Sequence, residues 1–282
     1  AISLARALWF YSENYEISYF FYHDLVSLFK NNAIYISLFT SICLLIKINL
    51  PEKNNLDRIM ILLLSVFLLL LASKNLILST LILVVVSKVL FKSKIEISTK
   101  RTIIPLVIAL SIALVIVFFE NPIKQRFLDE SSLNVESVWT QDDFSDFYFN
   151  GSNLRLFQWR IVYEMTENNQ IGFLGLGLDN SHYLTKQYFS YYNVYKGYMP
   201  VNFHNQYLQT FGELGIIGLL LLLSLFFFLF RKSFNDKNIL ILVVGLLIFL
   251  SFFTESYLCR QKSIMFFSTL ISIFLFCRSV KK

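Results

Sequence analysis

Long apolar runs joined by short basic connections make up most of this chain, and one extended polar stretch, Glu120 to Gly212, interrupts them. About 20 apolar residues suffice for a helix to cross a hydrocarbon core about 30 Å thick. On that measure the runs predict seven spans: Ala33 to Leu50, Arg58 to Ala72, Leu76 to Phe91, Ile103 to Phe119, Leu214 to Phe230, Asn238 to Phe253 and Ser263 to Phe276. Only Ser73-Lys74-Asn75 separates the second from the third. One helix over both would be about 50 Å long at 1.5 Å per residue, so the pattern predicts a tight helical hairpin with Lys74 at its tip. The expected architecture is an all-α polytopic membrane protein with one large external loop between the fourth and fifth spans. Residues 1–119 form an external N-terminal segment and four spans, 120–212 a loop with short helices, and 213–282 three further spans.

Composition points the same way. With 56% hydrophobic and 16% charged residues, the chain is too apolar and too sparsely charged for an ordinary soluble domain. Lipid is the solvent for much of it. The formal charge of +6 does not indicate nucleic acid, because the basic residues punctuate apolar runs and never form a stripe interleaved with aromatics. Their distribution sets an orientation instead. Alternating the spans puts the connections 51–57, 92–102, 231–237 and 278–282 on one side; with Lys47, Arg58 and Lys88 at span ends, that side holds 14 of the 25 basic residues against Glu52, Asp57, Glu96 and Asp236. The positive-inside rule makes it cytoplasmic. The large loop, Lys74 and the Thr254–Lys262 connection are then external. Cys43 and Cys277 lie inside apolar runs and Cys259 just past one, a spacing that fits neither zinc nor a disulfide framework. The chain opens on Ala1 without the basic-then-apolar pattern of a signal peptide, and is expected to be an excerpt from a longer protein.

Within the loop, Leu133 to Gly151 reads as irregular and acidic. A helix is predicted after Asn153, which can cap it, running from Leu154 to Met165. Arg155 and Trp159, four apart, share a face; Arg160 lies about 100° further round. Both arginines could reach an anion at the bilayer surface, while the plainer alternative is a solvated amphipathic helix with Trp159 as an interfacial anchor. The glycines of IGFLGLGLDNSH lack the preceding strand and the Lys-Ser/Thr pair of a phosphate loop, so they predict a turn of close backbone approach. The acidic run Gln141 to Asp146 reads as solvated, with no metal. Aromatics in 144–149 and 188–198 are scattered, so no core is evident and the loop is expected to lie on the membrane surface. Gly212, Gly215 and Gly218 recur every three residues, predicting close helix contact at the start of the fifth span, with His204 and Glu213 at the membrane boundary.

Several strings together resemble one family: HNQYLQTFGELGIIG, NLRLFQWR with its Arg and Trp four apart, the GLGLDN turn, ASKN at the hairpin tip and FTESYLCRQKSIMFF. They are similar to the O-antigen ligase and polymerase family of bacterial envelope enzymes, over most of the chain from about Tyr22. The hairpin tip departs from the family's usual Ser-Arg, carrying Ser73-Lys74, which keeps the charge but not the planar two-pronged donor. The resemblance implies further N-terminal spans and a metal-independent, cofactor-free glycosyltransferase of the bacterial inner membrane with its active face periplasmic. Its implied partners are a polyprenyl-pyrophosphate-linked glycan donor, a lipid or glycan acceptor and membrane lipids, with no nucleic acid. His204 is implied as the base acting on the acceptor hydroxyl, a role suited to an imidazole near neutral pH. Arg155 and Lys74 are implied as cations for the departing pyrophosphate, with Arg160, Asn205, Glu213, Glu255 and Arg260 binding substrate. Ligase and polymerase share this core and differ in acceptor. A transporter would carry charges near span centres and related halves, neither of which occurs; a sensor would need a self-contained globular loop.

Overall fold

The computed structural model describes residues 2–29, 32–50, 53–90, 124, 128–129, 132–199 and 202–276. Every regular element among them is helical. In chain order the α-helices are α1 (Ile2–Asn14), α2 (Tyr22–Val26), α3 (Ala33–Asn49), α4 (Asn55–Leu70), α5 (Lys74–Leu90), α6 (Val135–Thr140), α7 (Gly151–Glu167), α8 (Leu178–Tyr191), α9 (Gln206–Asn235), α10 (Ile239–Ser251) and α11 (Gln261–Phe276). Helices thus occupy six of the seven expected spans, and the remaining one, Ile103 to Phe119, lies outside the described residues. Among them α9 alone is long and apolar enough to cross a membrane by itself; α3, α10 and α11 are apolar but shorter.

The chain divides into two compact units, Ala1–Phe127 with Ser233–Ser251, and Leu128–Lys232 with Phe252–Lys282. In the first, α3 packs against α4, α5 and α10, and α10 also packs against α5. Local chemistry places the helix starts. Asn32 caps α3 by accepting from the Ile34 amide, and Asn54 and Asp57 form a reciprocal capping box at the start of α4. Buried hydroxyls inside these apolar helices are satisfied by the carbonyl four residues back, as in Ser37 to Ala33, Thr40 to Ile36, Ser65 to Ile61 and Thr80 to Leu76. The break between α4 and α5 falls at Leu71-Ala72-Ser73, two residues before the expected Ser73-Lys74-Asn75, so that Lys74 is the first residue of α5 and not part of the connection. The hairpin is not tight, however. Ala72 turns the chain with φ 50°, and α4 and α5 each pack on α3 rather than along each other.

The second unit corrects the reading of the polar loop. It has a hydrophobic core of its own, in which Val138, Phe144, Phe157, Ile161, Met165, Phe189 and Phe203 are among the buried members. Phe144 sits amid the rings of Phe147, Phe149, Phe157 and Tyr192 at centroid distances of 4.8 to 6.0 Å. At about 1.5–3 kcal/mol for each large apolar side chain buried, this cluster holds the loop's helices together. The segment expected to be irregular contains α6, capped by Asn134. The cap of α7 is Asn150, not Asn153: its Oδ1 accepts from the Ser152 and Asn153 amides at 3.1 and 2.8 Å. Asn153 faces inward instead, accepting from the Asn134 amide and donating to the Ser132 carbonyl.

The fifth expected span also begins earlier than its apolar run. Helix α9 starts at Gln206 and is broken at Gly215, whose φ of 64° and ψ of −162° are not helical. Against that break lies the glycine turn before α8. Leu176 and Gly177 donate backbone amides to the carbonyls of Gly212 and Glu213 at 2.8 and 2.9 Å. A Cβ on Gly175 would come within 2.5 Å of Glu213 and Gly215 backbone atoms, and one on Gly215 within 2.1 Å of the Phe173 carbonyl oxygen. The close approach read from both glycine strings is therefore one contact, made by each string with the other.

Candidate functional site

His204 stands one residue before the cap of α9. Its backbone is left-handed, φ 48°, a conformation uncommon outside glycine and costly for most residues. Three contacts hold it there. The His204 amide donates to Asn202 Oδ1 at 2.9 Å; Asn205 caps α9, accepting from the amides of Tyr207 and Leu208; and the Asn205 amide donates to Ser256 Oγ at 3.1 Å. Further bonds stitch the 252–259 segment to the same point, from the Gln206 amide to the Phe252 carbonyl at 2.7 Å and from the Leu258 amide to Gln206 Oε1 at 2.7 Å.

This stitching brings Glu255 to His204, with Oε1 3.0 Å from Nδ1. The Glu255 side chain is 2% exposed and that of His204 30%. A carboxylate accepts, so Nδ1 donates to Glu255, and a ring that carries this hydrogen alone offers the lone pair of Nε2. The result is an imidazole fixed in tautomer and direction by a buried carboxylate. Glu255 Oε2 is buried without a hydrogen-bond partner, leaving the carboxylate with unused accepting capacity.

On α7, Arg155 donates Nη1 to the Gly151 carbonyl at 3.1 Å. Its Nε is buried without a partner, and so are Trp159 Nε1 and both amide atoms of Gln158. These three residues lie at i, i+3 and i+4, on one helix face. Each orphaned buried polar group costs about 1–3 kcal/mol, so this face has unmet hydrogen-bonding demand and a positive charge. Gln158 is 0% exposed and was not singled out from sequence. Its signal was an amide on the stripe that otherwise carries Leu154, Ile161 and Val162.

Arg160 differs from its neighbour. The 100° step from Trp159 turns it into the loop core, where its side chain is 7% exposed. Nε binds Glu164 at 2.6 Å, Nη1 donates to the Val138 and Gln141 carbonyls, and Nη2 donates to the Tyr192 hydroxyl at 2.8 Å. Burial opposes the guanidinium charge, but Glu164 and Tyr192 more than restore it, leaving its pKa above the ordinary value. Burial and the same carboxylate push the Tyr192 phenol up to about 12. The donors expected to assist at an anion are spent inside the loop.

Lys74 opens α5 in the first unit. Glu213 lies on α9 and accepts from Gln209 Nε2 at 2.6 Å. Asn205 is the cap just described. Arg260 is exposed, and its carbonyl accepts from the Ser263 and Ile264 amides at the start of α11.

The sequence profile of a family described as O-Antigen ligase matches residues 59–223. The match takes in Lys74, Arg155, His204 and Glu213 and leaves Glu255 and Arg260 beyond its end. No curated protein matches the chain.

Proposed function

Because the chain belongs to the O-antigen ligase family, whose profile covers more than half of it, we propose that it is a multi-pass glycosyltransferase of the bacterial inner membrane, working on the periplasmic side. The donor is a glycan on a polyprenyl pyrophosphate and the acceptor a hydroxyl of a lipid or a glycan. His204 Nε2 takes the proton of the acceptor hydroxyl as its oxygen bonds to the anomeric carbon. The bond from that carbon to the phosphate oxygen breaks, and the electron pair leaves with the pyrophosphate. Arg155 and Lys74 neutralise the departing charge, an electrostatic role that guanidinium and ammonium groups fill without a metal. The observation that carries this reading is the His204–Glu255 pair. A buried carboxylate orienting an imidazole is the arrangement a general base requires.

Expression of the full-length gene in a mutant lacking envelope glycan transfer, with gel analysis of surface polysaccharide, tests the reading. If loss of the gene removes all high-mass glycan from lipid while carrier-linked chains accumulate, the enzyme is a ligase. Single-repeat products identify a polymerase of the same family. Unchanged glycan in both respects would remove the reading.

A further inference from the structure

A recess lies within the loop unit, lined in part by Asn202 and Phe203, the two residues that precede His204. Leu178, Ser181, His182 and Thr185, at helical spacing on one face of α8, form one wall, and Glu213 and Gln209 of α9 face them across a cavity of about 350 Å3. That volume falls at the small end of ligand pockets, which run from about 300 to 1,000 Å3. We propose that this cavity is a subsite for a neutral sugar ring of the glycan acceptor, an assignment that rests on the transfer reading above.

The available hydrogen-bonding groups support the assignment. The Ser181 and Thr185 hydroxyls donate to helix carbonyls, which leaves their oxygens as acceptors toward the cavity. Gln209 uses Oε1 on the Phe203 amide and one Nε2 hydrogen on Glu213 Oε1, leaving a second hydrogen on Nε2, while the Glu213 carboxyl is shared between Gln209 and Ser181. Asn202 spends Oδ1 on the His204 amide and keeps its amide donors. Half-exposed His182 contributes a ring that can donate or accept. Donors and acceptors are thus interleaved, and each sugar hydroxyl both donates and accepts. Phosphate fits poorly: it only accepts, and Glu213 would repel it, with no lysine or arginine lining the cavity. A divalent cation fits poorly as well, since one carboxylate is too few. Leu258 and Ile264 supply the apolar surface that the C–H face of a sugar ring covers. The Gly177 amide donates to the Glu213 carbonyl, tying the start of α8 to α9 beside the cavity.

Cys259 lines the same cavity and is exposed, which gives a readout independent of turnover. In the full-length protein with Cys43 and Cys277 replaced by serine, the rate at which a methanethiosulfonate reagent modifies Cys259 is measured with hexoses, N-acetylhexosamines or inorganic pyrophosphate present. At least one sugar should slow modification about threefold and saturably, pyrophosphate should not, and Ser181→Leu, which fills the cavity, should abolish the protection. Should Ser181→Leu misfold, His182→Ala, which opens the cavity, should weaken protection instead. Protection by pyrophosphate alone, or by no sugar, overturns the assignment. Protection by sugar in a protein that transfers no glycan leaves the subsite standing and removes the transferase reading.

Discussion

His204 Nδ1 and Glu255 Oε1 stand 3.0 Å apart across 51 residues of sequence. The pair exists because two short segments are stitched backbone to side chain: Asn205 to Ser256, and Gln206 to both Phe252 and Leu258. An imidazole whose Nδ1–H is held by a buried carboxylate presents Nε2 in one direction, and that is what proton abstraction needs. His204→Ala should lower kcat about a hundredfold to ten-thousandfold at normal membrane abundance. Glu255→Gln, which keeps the shape but can present its own N–H to the ring, should lower kcat about tenfold to a hundredfold with KM little changed. Near-normal transfer by His204→Ala would leave a packing histidine.

Arg155 and Arg160, five residues apart on one helix, should fail in different ways. Arg155→Ala removes a cation from a face whose polar atoms lack partners, so transfer should fall by two orders of magnitude or more while the melting temperature holds. Arg160→Ala removes the ion pair with Glu164 and strands two carbonyls that the guanidinium now satisfies and should cost about 2–4 kcal/mol of loop stability. Lysine should not rescue it, lacking the planar fork. The phenol in this network ionises only near 12, above the ordinary tyrosine value of about 10. Its contribution is therefore fully present below about pH 10 and lost as pH rises through 12. Lys74→Arg should retain transfer and Lys74→Ala should not; the reverse order would make Lys74 structural. Thermal melts paired with transfer assays on each variant separate these outcomes.

The helices at the expected spans were legible because apolar runs announce themselves by length, whereas α6 lies in a segment that reads as irregular. The loop core was not, because Phe144, Phe157, Phe189 and Phe203 come from four separate segments and no single segment carries a period that reveals them. Asn150 and Asn153 are equally good caps by residue type; Asn153 is drawn off by Asn134 and Ser132, a tertiary choice that local sequence does not encode. His204 and Arg155 were picked out by their family strings, whereas the direct partnership of His204 with Glu255 depends on a fold that closes 51 residues of chain. The glycine strings told of close approach but not of what approached what.

That contact gives a sharp test of the kink. Gly215→Ala places a methyl within 2.1 Å of the Phe173 carbonyl oxygen at a backbone conformation that disfavours any side chain. It should destabilise the loop unit by at least about 2 kcal/mol and expose the 172–177 turn to protease. Gly172→Ala is the control. Its Cβ would meet nothing within 4 Å, so its effect should stay within about 0.5 kcal/mol. Equal behaviour of the two variants would mean the turn does not dock on α9.

The kink also sets a topological expectation. From Ile216 to Asn235 the helix has about 20 residues, and at 1.5 Å each this is about 30 Å, the thickness of a hydrocarbon core. Residues 206–214 then form a separate stretch of about two and a half turns at the membrane surface, with His204 just beyond it, and Arg231 and Lys232 near the far end match the positive-inside rule. Single cysteines at Ser145 in the loop and Asn235 at the end of α9, both exposed, distinguish the two sides in a background without native cysteines. An impermeant thiol reagent added to cells with a permeabilised outer membrane should label Ser145→Cys. It should label Asn235→Cys only after the inner membrane is broken. Labelling of Asn235→Cys in intact spheroplasts would invert the orientation and move His204 to the cytoplasm, away from any periplasmic donor.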